Sequence, residues 1–149
     1  MSASRPRLIA IDHDDYHAEF VGQTRDGKQF FLTTPFESAT ATQPSREFIA
    51  LYLFDAGGTL LEAKINDLGT REGLDHEARV ALRDQWLGAL DHPTFMRIEI
   101  RPFAVERFGL VFGLVLREPE DEADDWVAEV LPGNYMAFFA PWDSGIYDT

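Results

Sequence analysis

One segment constrains the fold of this chain more than any other. Residues 48–54, Phe-Ile-Ala-Leu-Tyr-Leu-Phe, are apolar without a break. Seven residues is strand length, and an unbroken apolar run must be covered on both faces, as a central strand is. Asp55-Ala56-Gly57-Gly58 follows, with glycines able to supply the positive φ of a tight turn. The chain then returns as "TLLEAKIN", with Leu61, Ala63 and Ile65 alternating against Glu62, Lys64 and Asn66. That period of two belongs to a strand with one solvated face. Strand, glycine turn and returning strand make an antiparallel hairpin.

A second hairpin is written into "YHAEFVGQTRDGKQFFLTT", where two β-rich runs flank Asp26-Gly27. This dipeptide is a strong hairpin signal, because both central residues of a type I′ turn need positive φ. Before it, "RLIAID" reads as a short strand; after it, "PFESATATQPSRE" reads as a mobile loop. The one clear helix spans about residues 75–91, with Asp75 as N-cap and Glu77 in the first turn. Leu74, Ala78, Ala81, Leu82, Trp86 and Ala89 form its expected buried stripe, with Arg79 and Asp84 away from it. "FMRIEIRPF" reads as one strand with Met96, Ile98 and Ile100 inward, and "RFGLVFGLVLRE" as the next. Gly109 and Gly113 would share a face of that strand, which suggests a helix or ring lying close across it. "WVAEVLP" and "YMAFFAP" complete the set. The expected fold is α+β: a mostly antiparallel β-sheet with one main helix packed on a face. A chain of 149 residues fits a single domain, 1–149, with residues 1–7 as a disordered arm.

Composition narrows the function classes. There is no cysteine, which removes disulfides, thiolate metal sites and thiol nucleophiles and suits a reducing cytoplasm. Twelve phenylalanines favour sheets over a helical bundle. The net charge of −13 repels phosphate backbones and anionic lipid, so neither nucleic acid nor membrane is an expected partner. Six of the eight residues from Glu118 to Asp125 are acidic. The longest apolar run, Phe108–Leu116, is far short of the roughly 20 residues of a membrane helix. No signal-type segment follows "MSASRPR", and the expected location is cytoplasmic.

The central hairpin also resembles the nucleophile motif of the haloacid dehalogenase superfamily, through Asp55, Gly58, Thr59 and Leu60 behind an apolar strand. That resemblance implies a phosphatase with Asp55 as nucleophile, and the other parts such an enzyme requires are missing. Gly57 stands where a second carboxylate would act, and no lysine follows Lys64. The late acidic pair Asp124-Asp125 sits inside a solvated acidic run. The chain continues as strand where a parallel fold needs a crossover helix, each such unit taking about 30 residues. Asp55 therefore reads as a turn residue, and no catalytic residue or cofactor is assigned.

Two segments remain as candidate sites. "DHDDYH" places His13, Asp15 and His17 at a spacing of two, a donor set suited to zinc or iron. On an extended strand neighbours in that set stand about 7 Å apart, so a metal site needs the chain to turn or another histidine to join. The second segment is "PWDSGIYDT", where Trp142 and Tyr147 either cover a core edge or, with Asp143 and Asp148, meet a protein partner. This ending is similar to that of small bacterial proteins known as formate hydrogenlyase regulatory proteins, through Pro141, Trp142, Asp143, Tyr147, Asp148 and Thr149. A further match is Gly22 with Asp26-Gly27 and Gln29-Phe30, while Ser144-Gly145-Ile146 is inserted within the ending. The resemblance implies a regulatory protein with no catalytic residues to carry over. The expected function is a small acidic binding or regulatory domain acting through a protein partner or self-association. The alternatives are a metal-binding protein or metal-dependent enzyme built on "DHDDYH", and an acidic inhibitor of immunity type.

Overall fold

The computed structural model describes residues 5–149. Its strands are β1 (Ile9–Ile11), β2 (Phe20–Gln23), β3 (Gln29–Thr33), β4 (Phe36–Glu37), β5 (Arg46–Phe54) and β6 (Leu60–Gly69). After the helix α1 (His76–Gly88) come β7 (Thr94–Phe95), β8 (Ile98–Ile100), β9 (Phe103–Arg107), β10 (Leu110–Arg117), β11 (Val127–Leu131) and β12 (Ala137–Phe138). Every strand pair is antiparallel. The organisation is α+β, mostly antiparallel sheet with a single helix among the described residues. No described helix is long and apolar enough to cross a membrane.

The apolar run is the centre of the largest sheet. Its strand β5 pairs with β6 on one side and with β3, then β4, on the other, and β2 and β7 extend the sheet beyond β3. Both faces of β5 are covered, each by a different cluster. Phe48, Ala50, Tyr52 and Phe54 point one way, into a core shared with Phe112 and Leu114 of β10, Ala128 and Val130 of β11, and the isoleucines of β1 and β8. Ile49 and Leu51 point the other way and join Phe30 and Leu32 of β3. Leu82, Trp86 and Leu87 of α1 pack, partly buried, against this second cluster. Two separate apolar clusters explain why no polar residue could be tolerated between Phe48 and Phe54.

Four expectations need correction. The loop after β3 is not free: Pro35 is buried, and residues 36–37 pair as β4 with Glu47 and Arg46. Phe36 stacks on Tyr135 with centroids 5.6 Å apart. Residues 95–103 are not one strand, because the chain changes partners. Thr94 and Phe95 pair with β2, whereas Ile98–Ile100 pair with β1. Between them Met96 is 40% exposed rather than inward.

Gly109 is a turn residue beside Phe108, with φ of 75° and 57°, and the strand restarts at Leu110. At Gly113 the close neighbour is backbone, not a helix or ring: a Cβ there would lie 2.1 Å from the Phe103 carbonyl oxygen. The helix begins as expected, Asp75 accepting the Ala78 N–H at 3.0 Å. Its inner face is rotated, however. Ala78, Ala81 and Ala89 are exposed, while Arg79 and Arg83 are half-buried beside Leu82 and Trp86. Methyl groups bring little apolar area to a face, whereas the long stems of arginine cover more and keep their charge wet. The Arg83 guanidinium lies 5.1 Å from the Phe20 ring centroid.

The expected disordered arm, residues 1–7, lies partly outside the described residues. Within the rest of it, Pro6 is buried and the Arg5 guanidinium lies 5.9 Å from the Trp126 ring.

Candidate functional site

Asp55 serves its own turn. Its Oδ1 accepts the N–H groups of Gly57 at 3.0 Å and Thr59 at 2.9 Å. Its backbone exchanges further hydrogen bonds with Thr59 and Gly58. Gly58 takes φ of 89°, and a Cβ there would lie 2.8 Å from the Glu99 carbonyl oxygen. Both features demand glycine and lock the carboxylate onto the loop.

The two segments singled out in the sequence meet in space. Asp14 accepts the N–H groups of Tyr16 at 2.9 Å and Ala18 at 3.0 Å, closing the "DHDDYH" turn. Its other oxygen accepts the Tyr147 hydroxyl at 2.5 Å, and that hydroxyl accepts the His17 N–H at 3.1 Å. Burial acts to raise the Asp14 pKa, but the hydrogen bonds from Tyr147, Tyr16 and Ala18 outweigh it and hold it below the usual 3.8. Burial, and then the bond to Asp14, push the Tyr147 hydroxyl up to about 12.

The turn sends its histidines to different neighbours. His13 stacks on Phe95 with centroids 5.6 Å apart, and His17 stacks on Tyr16 at 3.9 Å and leans on Tyr135 at 5.0 Å. Asp15 is exposed. The structure does not bring His13, Asp15 and His17 together, and no group of three His, Cys, Asp or Glu side chains with metal-holding geometry occurs among the described residues.

The tail is built into the domain. The Trp142 carbonyl accepts the Ala10 N–H at 2.9 Å, the Gly145 carbonyl accepts that of Asp12 at 3.0 Å, and Asp148 bridges Ala137. Trp142 and Tyr147 pack, partly buried, on the main core, and the Trp142 indole N–H is buried with no hydrogen-bond partner among the described residues. Asp143 and Asp148 are exposed, and the Asp143 carbonyl accepts from Arg97.

Beside this junction lies a cleft that no motif announced. His17, Thr34 and Arg79 line two adjoining cavities, one of 210 Å³ and one of 170 Å³. The larger is walled by Phe20, Leu32, Ile49 and Val80, with Tyr16 and Arg83 also lining it. The smaller reaches Tyr135, Phe36 and the Glu47–Arg71 ion pair, whose atoms are 3.1 Å apart. Tyr135 is fixed by a 2.5 Å hydrogen bond to Thr33, and burial raises its pKa well above the ordinary tyrosine value. Burial holds the His17 imidazole below its ordinary 6.5, against the opposing pull of Asp14.

The charges here run against the rest of the protein. Three arginines, Arg71, Arg79 and Arg83, border the cleft in a chain of net charge −13. Arg71 is paired with Glu47, and Arg83 with Asp84 at 3.0 Å. Arg79 has no carboxylate within ion-pair distance among the described residues, where its one side-chain hydrogen bond is to the His76 ring nitrogen at 3.4 Å. Such a group of donors around an apolar wall can hold an acceptor-bearing ligand. Arg79 and Arg83, one helical turn apart, were the sequence signal for it. Thr34 carried none.

No protein-family model, no curated protein and no solved structure matches this chain.

Proposed function

We propose that this protein is a cytoplasmic, non-enzymatic binding domain of regulatory type, acting on another protein through the surface where the cleft and the tail meet. In this reading α1 lies on the face of the large sheet and forms one wall of the cleft, and neither nucleic acid nor membrane is engaged. One observation carries it. Among the described residues, the two most exposed large apolar side chains, Ile146 at 71% and Tyr16 at 65%, sit in the two segments that Tyr147 ties together. Exposed apolar groups beside ordered aromatics are what a partner surface offers. The similar ending of formate hydrogenlyase regulatory proteins fits a regulatory role, and the turn duty of Asp55 fits a non-enzymatic one.

Site-specific photo-crosslinking tests this. A benzophenone amino acid is placed in turn at Tyr16, Ile146, Glu122 and Phe108, and the protein is irradiated in living cells. The expected result is one discrete adduct shared by Tyr16 and Ile146 and absent at Phe108. An adduct at Glu122 alone would transfer the function to the acidic loop and support an acidic inhibitor. No adduct at Tyr16 or Ile146 would overturn the proposal.

A further inference from the structure

We infer that the cleft at His17, Thr34 and Arg79 is a receptor for a carboxylate carried on an apolar body. This rests on the cleft being part of the working surface and names the chemistry it recognises. Arg79, His17 and Thr34 each carry a donor, and none of the three is hydrogen-bonded to a carboxylate among the described residues. The Arg79 guanidinium presents five N–H groups and meets no carboxylate among the described residues. The His17 ring stacks on tyrosines and makes no hydrogen bond among the described residues, although its backbone N–H is satisfied. Thr34 is exposed, and its hydroxyl also has no partner among the described residues. A carboxylate is acceptor-only and fits the planar fork of an arginine bidentately.

Two acids, Glu19 and Glu47, stand at the rim against the three arginines. Glu47 is engaged by Arg71, and Glu19, which also lines the larger cavity, makes no ion pair with Arg79 or Arg83. Elsewhere the protein's field repels anions, so an anion reaching this place must be held by specific contacts rather than by long-range attraction. The apolar wall decides between anions. Phe20 and Val80, the accessible part of that wall, would be left facing the solvation shell of a bare phosphate, whereas an aromatic or aliphatic acid covers them. Two sources share this chemistry: a free organic acid, or the terminal carboxylate of a peptide with an apolar last residue.

Amide and arginine side-chain NMR titrations of the full chain separate these outcomes. The probes are benzoate, its neutral isostere benzamide, inorganic phosphate, and a short peptide ending in phenylalanine as free acid or as amide. Benzoate is expected to shift Thr34, His17 and the Arg79 Nε–H saturably, with benzamide and phosphate at least about tenfold weaker. The free-acid peptide outbinding benzoate would identify a protein terminus as the source; benzoate outbinding it would identify a small acid. Arg79→Gln should abolish the preference for benzoate over benzamide, and Arg79→Lys should keep part of it. Equal binding of benzoate and benzamide to the wild-type protein, or no saturable shift at Thr34, would overturn the inference. Since the comparison uses unaltered protein, a folding defect in a variant cannot obscure it. Adducts at Tyr16 with no benzoate binding would leave the partner surface standing and remove only the carboxylate.

Discussion

The Tyr147 hydroxyl donates to Asp14 at 2.5 Å and accepts from the His17 N–H at 3.1 Å, joining residues 133 and 130 positions apart. One phenol thereby closes the polar turn and anchors the tail. Tyr147→Phe removes both bonds and keeps the ring against Phe138, whose centroid lies 5.9 Å away. A loss of about 1 to 2 kcal/mol is expected in urea unfolding. The pH dependence gives a signature. The folded pKa of Asp14 is lowered, so its contribution is complete above the unfolded value of about 3.9 and is lost as pH falls through the folded one. The gap between variant and wild type should be constant near neutrality and narrow below about pH 4. On the alkaline side the raised Tyr147 pKa means stability lost from about pH 10 upward, through about 12. A gap that does not change with pH would mean that the bond to Asp14 contributes nothing.

Thr33 and Tyr135, both buried, share a hydrogen bond beside the cleft. Thr33→Val leaves the Tyr135 hydroxyl buried without a partner and is expected to cost about 1 to 3 kcal/mol. Tyr135→Phe should cost about 1 kcal/mol. The double variant should be more stable than the sum of the two losses predicts, a coupling read from a double-mutant cycle. Simple additivity would show that the two hydroxyls are satisfied independently.

Two glycines of the first hairpin have opposite requirements. Gly22 has ordinary φ, but a Cβ there would lie 2.0 Å from the Thr94 carbonyl oxygen, whereas Gly27 has φ of 88° with open space around it. Gly22→Ala should cost about 1 to 3 kcal/mol through a forced shift between β2 and β7. Gly27→Ala should cost about 1 to 2 kcal/mol through its left-handed backbone. Asparagine distinguishes the causes in thermal melts. It should restore part of the loss at position 27, where it tolerates that conformation, and deepen the loss at position 22.

For Asp55 the prediction is conformational. Asp55→Ala strips two N–H groups of their acceptor and should lower stability by about 1 kcal/mol, or roughly 3 °C in melting temperature. Asp55→Asn retains an acceptor and should behave close to wild type. An Asn variant as unstable as Ala would show that charge, not geometry, holds the turn.

Legibility followed locality. Both hairpins could be read because the signal and the structure lie within the same few residues: Asp26-Gly27 between paired strands, and two glycines behind an apolar run. The N-cap at Asp75 is equally local. The split of residues 95–103 was hidden because nothing in "FMRIEIRPF" states that its first and later residues pair with different sheets. The helix face was misjudged because alanines suggested an apolar stripe while arginine stems took the inner positions. The cleft was the least legible feature. His17, Thr34 and Arg79 come from three separate segments, and neither the Arg79–Arg83 spacing nor the "DHDDYH" cluster points to the other. The tail was half-read: its aromatics did promise a packed end, but its junction with Asp14 is a contact across almost the whole chain.

The clasp formed by residues 142–148 also sets an order in time. Synthesis runs from the N-terminus, and β1 is made before every other element among the described residues, yet the Ala10 and Asp12 N–H groups find their acceptors only at Trp142 and Gly145. Until that segment leaves the ribosome, the edge of β1 is open and Asp14 lacks its phenol, however much of the sheet has already emerged. Closure of this domain therefore waits on residues 142–148, and the edge of β1 is open to foreign strands until they arrive.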